Sequence, residues 1–211
     1  MSLARVLWQE NSDLARAALA HPFVEGLRTG LLPRQNFQSY IGQDAYFLEA
    51  FARAYALALA HSPDQQGLYT FFNLLSGVQE ELRLHTGYAA QWGVQLSGIT
   101  PSSATLAYTD FLLATAAVRG VGETCAAMTP CMRLYAFLGQ ALLPSLVDQP
   151  GANHPYAEWI RTYASPEFED LAVKLETLLD RYASDTPALH TAYRRAMMLE
   201  LAFFESQSSA T

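Results

Sequence analysis

Prolines recur in this chain directly after a side chain able to cap a helix, as at Ser62-Pro63, Thr100-Pro101, Ser165-Pro166 and Thr186-Pro187. A serine or threonine hydroxyl accepts from the unpaired N–H groups of a first helical turn, and proline suits the first helical position because it has no N–H to lose. Between these marks, apolar residues recur three and four apart, and alternating β-branched runs are missing. Gly30, Gly93, Gly120 and Gly151 fall near the ends of the periodic runs or just beyond them, as helix stops do. The punctuation predicts an all-α fold of about eight helices, over 3–19, 34–60, 63–92, 101–118, 123–146, 154–163, 166–183 and 187–206. No internal repeat or composition shift divides the 211 residues, so the expectation is a single domain, 1–211, folded as a compact helical bundle.

Charge and cysteine usage remove several classes of function. The net charge is −7 with no Lys/Arg cluster, which argues against nucleic acid and anionic membranes as partners. No apolar run reaches the roughly 20 residues that cross a bilayer, and the opening MSLARVLWQENSD turns polar too early for a signal peptide. The two cysteines, Cys125 and Cys131, lie six apart on one predicted helix. They face different ways, there is no CxxC, and the simplest setting is a reducing cytoplasm.

Three helices each carry one reactive group inside an apolar stripe. Helix 34–60 aligns Tyr40, Asp44, Phe47, Phe51 and Tyr55. A carboxylate among aromatics needs a partner, because desolvating its charge is costly. Helix 123–146 is nearly free of charge and holds Pro130, which is expected to kink or restart it. Directly after it, Cys131, Tyr135 and Gly139 share one face. On its own helix Cys131 reads first as a small buried hydrophobe. The last helix aligns Tyr193, Met197, Glu200 and Phe204. Burial there would raise the proton affinity of Glu200, as acid–base chemistry requires, whereas Glu205 falls near the helix end, in solvent.

Two further tyrosines sit near this set, Tyr108 on an apolar helix face and Tyr163 at the end of a short helix. Glu81 and His85 are one turn apart on helix 63–92, but no second such pair completes a metal shell. They read as a hydrogen-bonded pair between helices, and no metal is expected. Asp44, Cys131 and Glu200 together would form a pocket with aromatic walls, a thiol and two carboxylates. Such a pocket suits a flat heteroaromatic ring, whose faces stack and whose nitrogens pair with acids.

Four stretches of the chain resemble the TenA family (thiaminase II, aminopyrimidine aminohydrolase), in its cysteine-containing branch. GQDAYFL at 42–48 is similar to that family's Gln-Asp helix and TPCMRLYAFLG at 129–139 to its Pro-Cys-x-x-x-Tyr-x-x-x-Gly segment. YAEWIRTYASPEF at 156–168 is similar to a segment that supplies a tyrosine beside the aspartate, and LELAFFE at 199–205 to its terminal Glu-x-x-Phe-Trp region. The resemblance implies a haem-oxygenase-like helical fold, a homotetramer, and no metal or organic cofactor. It implies hydrolysis of 4-amino-5-aminomethyl-2-methylpyrimidine to the hydroxymethylpyrimidine used in thiamine salvage, with thiamine as a further substrate. It places the nucleophile at Cys131, the acid/base at Glu200 and the substrate carboxylate at Asp44, steadied by Tyr163. Phe47, Tyr108 and Tyr135 complete the implied substrate contacts.

Two positions depart from the family pattern. Phe47 stands where a tyrosine is usual, and Phe204 where a tryptophan is expected. These motivate an alternative, a non-catalytic pyrimidine-binding or regulatory module on the same fold. A haem-binding version of the fold would need an axial histidine, for which His21, at the apparent helix end His21-Pro22, is the candidate.

Overall fold

The computed structural model describes residues 1–147 and 154–208. Ten α-helices and no strand occur among the described residues: α1 (Leu3–Glu10), α2 (Ser12–Leu19), α3 (Pro22–Thr29), α4 (Arg34–Ala60), α5 (Gln65–Trp92), α6 (Ser103–Val118), α7 (Val121–Val147), α8 (Ala157–Tyr163), α9 (Pro166–Tyr182) and α10 (Pro187–Ser208). The expected all-α architecture is present, but with ten helices rather than about eight.

Both extra helices come from the N-terminal region. The predicted helix 3–19 breaks at Asn11, whose buried side chain turns back to donate to the Leu7 carbonyl. α3 escaped the periodic reading because it is only eight residues long, two turns. Its signals are local instead. His21 caps it, with Nδ1 accepting from the Phe23 N–H, Pro22 takes the first position, and Gly30 closes it at φ +74°. His21-Pro22 is therefore a helix start, not a helix end.

Proline after a capping residue marks the true start at Ser165-Pro166 and Thr186-Pro187, where both hydroxyl oxygens accept a first-turn N–H. At the other two sites the helix begins later, because a better-placed cap follows the proline. Asp64 caps α5 through the Gly67 N–H, and Ser102 caps α6 through the Thr105 N–H. Residues His154 to Tyr156 likewise precede α8 rather than belong to it. Gly151 lies outside the described residues.

α4 and α7 are the two long helices around which the others pack. α4 lies against α5, α6, α10 and α7, and α7 against α9, α10, α8, α6, α3 and α4. The aromatic stripe of α4, from Phe37 through Tyr55, is buried in one continuous core that draws on every helix. α7 runs through Pro130 without a break, so the helix does not restart there. A proline inside a helix removes one backbone bond and costs about 3 kcal/mol. Full burial of the side chains from Cys125 through Thr129 offsets this, and the Thr129 hydroxyl ties the turn by donating to the Cys125 carbonyl at 2.7 Å. On its outer side, Arg133 reaches Glu176 and Glu169 and binds α7 to α9.

Gly139 is required by close approach. A Cβ at this position would stand 2.3 Å from the main-chain carbon of Tyr163 and 2.5 Å from the Ala164 nitrogen. The absence of a side chain lets α7 touch the end of α8 and so sets how near Tyr163 comes to Tyr135. Helix propensity alone would favour alanine here by about 1 kcal/mol. Gly139→Ala is nonetheless expected to destabilise the fold by about 2–3 kcal/mol through overpacking against backbone, read as a lowered Tm in thermal unfolding.

Candidate active site

The groups singled out in the sequence converge between α4, α5, α6, α7, α8 and α10. Glu200 is 2% exposed, and its Oε1 accepts from the Tyr108 hydroxyl at 2.8 Å. The Cys131 thiol lies close enough to the same carboxyl that each shifts the other's proton affinity. Burial raises Glu200 to about 8, against the pull of the Tyr108 hydrogen bond. Burial also pushes the Cys131 thiol well above its ordinary value, and the neighbouring carboxyls of Glu200, Glu81 and Asp44 push it further. The resting nucleophile candidate is therefore a neutral thiol beside a carboxyl whose own proton affinity is raised. Cys125, one and a half turns earlier, is fully buried, whereas Cys131 keeps some accessible surface.

Aromatic rings wall this centre. Phe47 stacks on Phe51 at 5.5 Å and lies 4.8 Å from the Tyr108 ring. Tyr135 stands edge-on to Tyr163 at 4.8 Å, and Phe204, in the place of the expected tryptophan, lies 5.8 Å from Tyr135 and stacks on Phe23. Trp159 donates from Nε1 to the Tyr40 hydroxyl at 3.1 Å. Tyr40, Tyr135 and Tyr163 are close enough to Asp44 that its charge raises each of their proton affinities, after the larger effect of burial.

Asp44 is 4% exposed and has a partner that the one-turn spacing of Glu81 and His85 concealed. His85, 3% exposed on α5, places Nε2 at 2.5 Å from Asp44 Oδ2. Its Nδ1 faces the main-chain carbonyl of Glu81 at 3.0 Å. The Glu81 carboxylate instead accepts from the Tyr163 hydroxyl at 2.8 Å. Glu81 and His85 are thus two separate bridges between helices, not one pair. The Tyr163 hydroxyl bonds to Glu81, while its ring lies near enough to Asp44 to feel that charge. Burial raises Glu81 to about 7, with the nearby His85 opposing. These two residues were the ones that sequence reasoning left outside the site, although their position on the helix facing α4 was the available signal.

The other candidates fall elsewhere. Glu205 is 71% exposed at its side chain and pairs with His21 Nε2 at 3.0 Å. With Nδ1 capping α3, both ring nitrogens of His21 are engaged, so this histidine does not present a free axial ligand for haem. No helix among the described residues is long and apolar enough to cross a membrane.

The chain is similar to known proteins over nearly its whole length. An aminopyrimidine aminohydrolase from Halalkalibacterium halodurans is 34% identical, over 98% of this chain and 93% of its own length. The mitochondrial bifunctional TH2 protein of Arabidopsis thaliana is 35% identical over 97% of this chain, which spans only 37% of that protein's length. Among solved structures, a TenA family transcription regulator from Silicibacter sp. TM1040 matches with a TM-score of 0.88 at 28% identity, over 97% of this chain and 96% of its own. Haem oxygenase-1 from the cyanobacterium Synechocystis matches with a TM-score of 0.62 at 15% identity, over 98% and 92%. At that identity the likeness speaks to fold alone, and the fold is haem-oxygenase-like. A sequence model of the TENA/THI-4/PQQC family matches residues 8–210, and the chain belongs to that family.

Proposed function

We propose that this chain is an aminopyrimidine aminohydrolase of the thiaminase II type, a hydrolase acting on a C–N bond. It converts 4-amino-5-aminomethyl-2-methylpyrimidine and water into the hydroxymethylpyrimidine and ammonia for thiamine salvage, and thiamine is its second substrate. What carries this assignment is the meeting of Cys131 and Glu200 with Asp44 inside one aromatic wall. The name borne by the Halalkalibacterium relative points to the same reaction.

The chemistry follows from the proton affinities. Asp44 pairs with a protonated ring nitrogen and the exocyclic amino group, and this positive charge makes the pyrimidine electron-poor. Glu200, as carboxylate, takes the thiol proton. The Cys131 sulfur then bonds to a ring carbon, and the electron pair moves onto the ring nitrogen. Glu200 returns its proton to the departing amine as the C–N bond breaks and an exocyclic methylene forms. Water adds to that methylene, giving its proton to Glu200, and the sulfur–carbon bond breaks to release product. Glu200 finally reprotonates the thiolate, which closes the cycle. Phe47, Tyr108 and Tyr135 stack on and bound the ring, and no step calls on a metal.

This sequence fixes the pH dependence. The free enzyme must lose the Glu200 proton to act as base, so kcat/KM is expected to rise with pH and level off near the Glu200 value of about 8. A cationic pyrimidine in the site favours the carboxylate, so the acid limb of kcat should lie at lower pH than that of kcat/KM. Steady-state ammonia release across pH, run beside thiamine hydrolysis, checks both limbs and ranks the substrates. The same assignment carries with it one domain over 1–211, a cytoplasmic setting and a homotetramer, for which exposed Leu68, Tyr69 and Phe72 on α5 offer an apolar face.

Phe47 favours a second reading, a pyrimidine-binding or regulatory module, because it lacks the hydroxyl usual at that position. Binding of the pyrimidine with no turnover would select that reading.

A further inference from the structure

We infer that His85 is the positioning residue of the substrate-binding carboxylate: gripping Asp44 Oδ2 from α5, it fixes the carboxylate plane and leaves Oδ1 for the pyrimidine. This rests on the aminohydrolase reading, in which Asp44 binds the ring.

The geometry is specific. His85 faces an acceptor at each ring nitrogen, Asp44 Oδ2 at 2.5 Å and the Glu81 carbonyl at 3.0 Å. Neither acceptor carries a proton when Asp44 is ionised, so the imidazole must donate from both nitrogens and is an imidazolium. Burial by itself would discharge the ring, but the Asp44 carboxylate and its hydrogen bond outweigh burial and hold His85 above its usual value.

The other described groups whose proton affinity the Asp44 charge shifts are all acids. They are Glu81 on α5, Cys131 and Tyr135 on α7 and Glu200 on α10, together with Tyr163 on α8 and Tyr40 one turn earlier on α4. Among these groups His85 supplies the positive charge. Without that charge the Asp44 carboxylate faces only groups that repel it, and its hold on a protonated ring nitrogen weakens. The backbone of α5 also couples the two bridges. Glu81 orients His85 through its carbonyl and Tyr163 through its carboxylate, so one helical turn sets both the binding carboxylate and the tyrosine beside it.

The test combines one spectrum and one variant. In the wild-type protein at pH 7.5, nitrogen-resolved NMR of the His85 ring should show both nitrogens protonated, and the Asp44→Asn variant should show one. In His85→Gln, which keeps a donor but no charge, KM for the aminomethyl-aminopyrimidine should rise about tenfold. Its kcat should fall as well, as in Asp44→Asn, because the protonated ring nitrogen that Asp44 favours is what lets the pyrimidine accept the Cys131 sulfur.

A neutral His85 ring in the wild type would overturn the inference without reference to turnover. An active wild type beside a His85→Gln variant with unchanged KM would also overturn it while leaving the aminohydrolase reading in place, as would a variant losing kcat and Tm with KM unmoved. A wild type that neither binds nor hydrolyses the pyrimidine overturns both.

Discussion

Cys131→Ser is expected to lower ammonia release by at least about a thousandfold while leaving pyrimidine affinity within about threefold. The asymmetry follows from what each group does. Binding depends on Asp44 and the aromatic walls, which the substitution does not touch. Addition to the ring depends on a nucleophile that Glu200 can deprotonate. A thiol ordinarily titrates near 8.5, and burial with three nearby carboxyls lifts Cys131 well above that. Glu200 is lifted too, to about 8, which keeps the transfer from sulfur to carboxylate within reach. A serine hydroxyl is a far weaker acid than either, so the same carboxylate cannot generate its alkoxide. Single-turnover chemistry and calorimetric binding of the pyrimidine measure the two effects separately.

Glu200→Gln is expected to cut turnover by about 10²- to 10³-fold and, at the same time, to stabilise the fold at neutral and alkaline pH. The folded-state value of about 8 stands above the ordinary 4.5. Between those values the unfolded chain has lost this proton and the folded one keeps it. The group therefore contributes most to stability below pH 4.5, its contribution falls as pH rises toward 8, and beyond that the folded protein carries a buried charge. Glutamine is neutral throughout. Its advantage should be nearly absent at pH 4 and grow to about 4 kcal/mol by pH 8, measurable as a Tm increase that depends on pH in this direction. Glu205→Gln, in solvent and paired with His21, should leave turnover unchanged. A catalytic carboxyl kept in the core at the expense of stability would explain why Glu200 sits in a stripe otherwise made of Tyr193, Met197 and Phe204.

The parts of this molecule legible from sequence are those set by local chemistry repeated over many turns. α4 carries 27 residues of sustained aromatic spacing, and its bounds are the predicted ones. α9 and α10 begin at their Ser-Pro and Thr-Pro signals. The Asp44, Cys131 and Glu200 stripes were readable because a polar group interrupts an apolar face. What escaped was set by contacts distant in sequence. His85 finds Asp44 41 residues away and Glu81 finds Tyr163 82 away, so their spacing of one turn suggested each other. Pro130 was read as a kink or restart from its local cost, but the helix does not restart there, because the core around residues 125–129 outweighs that cost. α3 is short enough that its cap and stop carry more information than its periodicity.

The most direct test of the central claim is ammonia release from 4-amino-5-aminomethyl-2-methylpyrimidine by the wild-type protein and by Cys131→Ser, with binding measured on both. The account predicts ammonia and hydroxymethylpyrimidine in equal amounts from the wild type. It predicts retained binding without release from the variant. Equal release by the two proteins would contradict the assignment of Cys131 as nucleophile, and binding without release by the wild type would contradict the aminohydrolase itself.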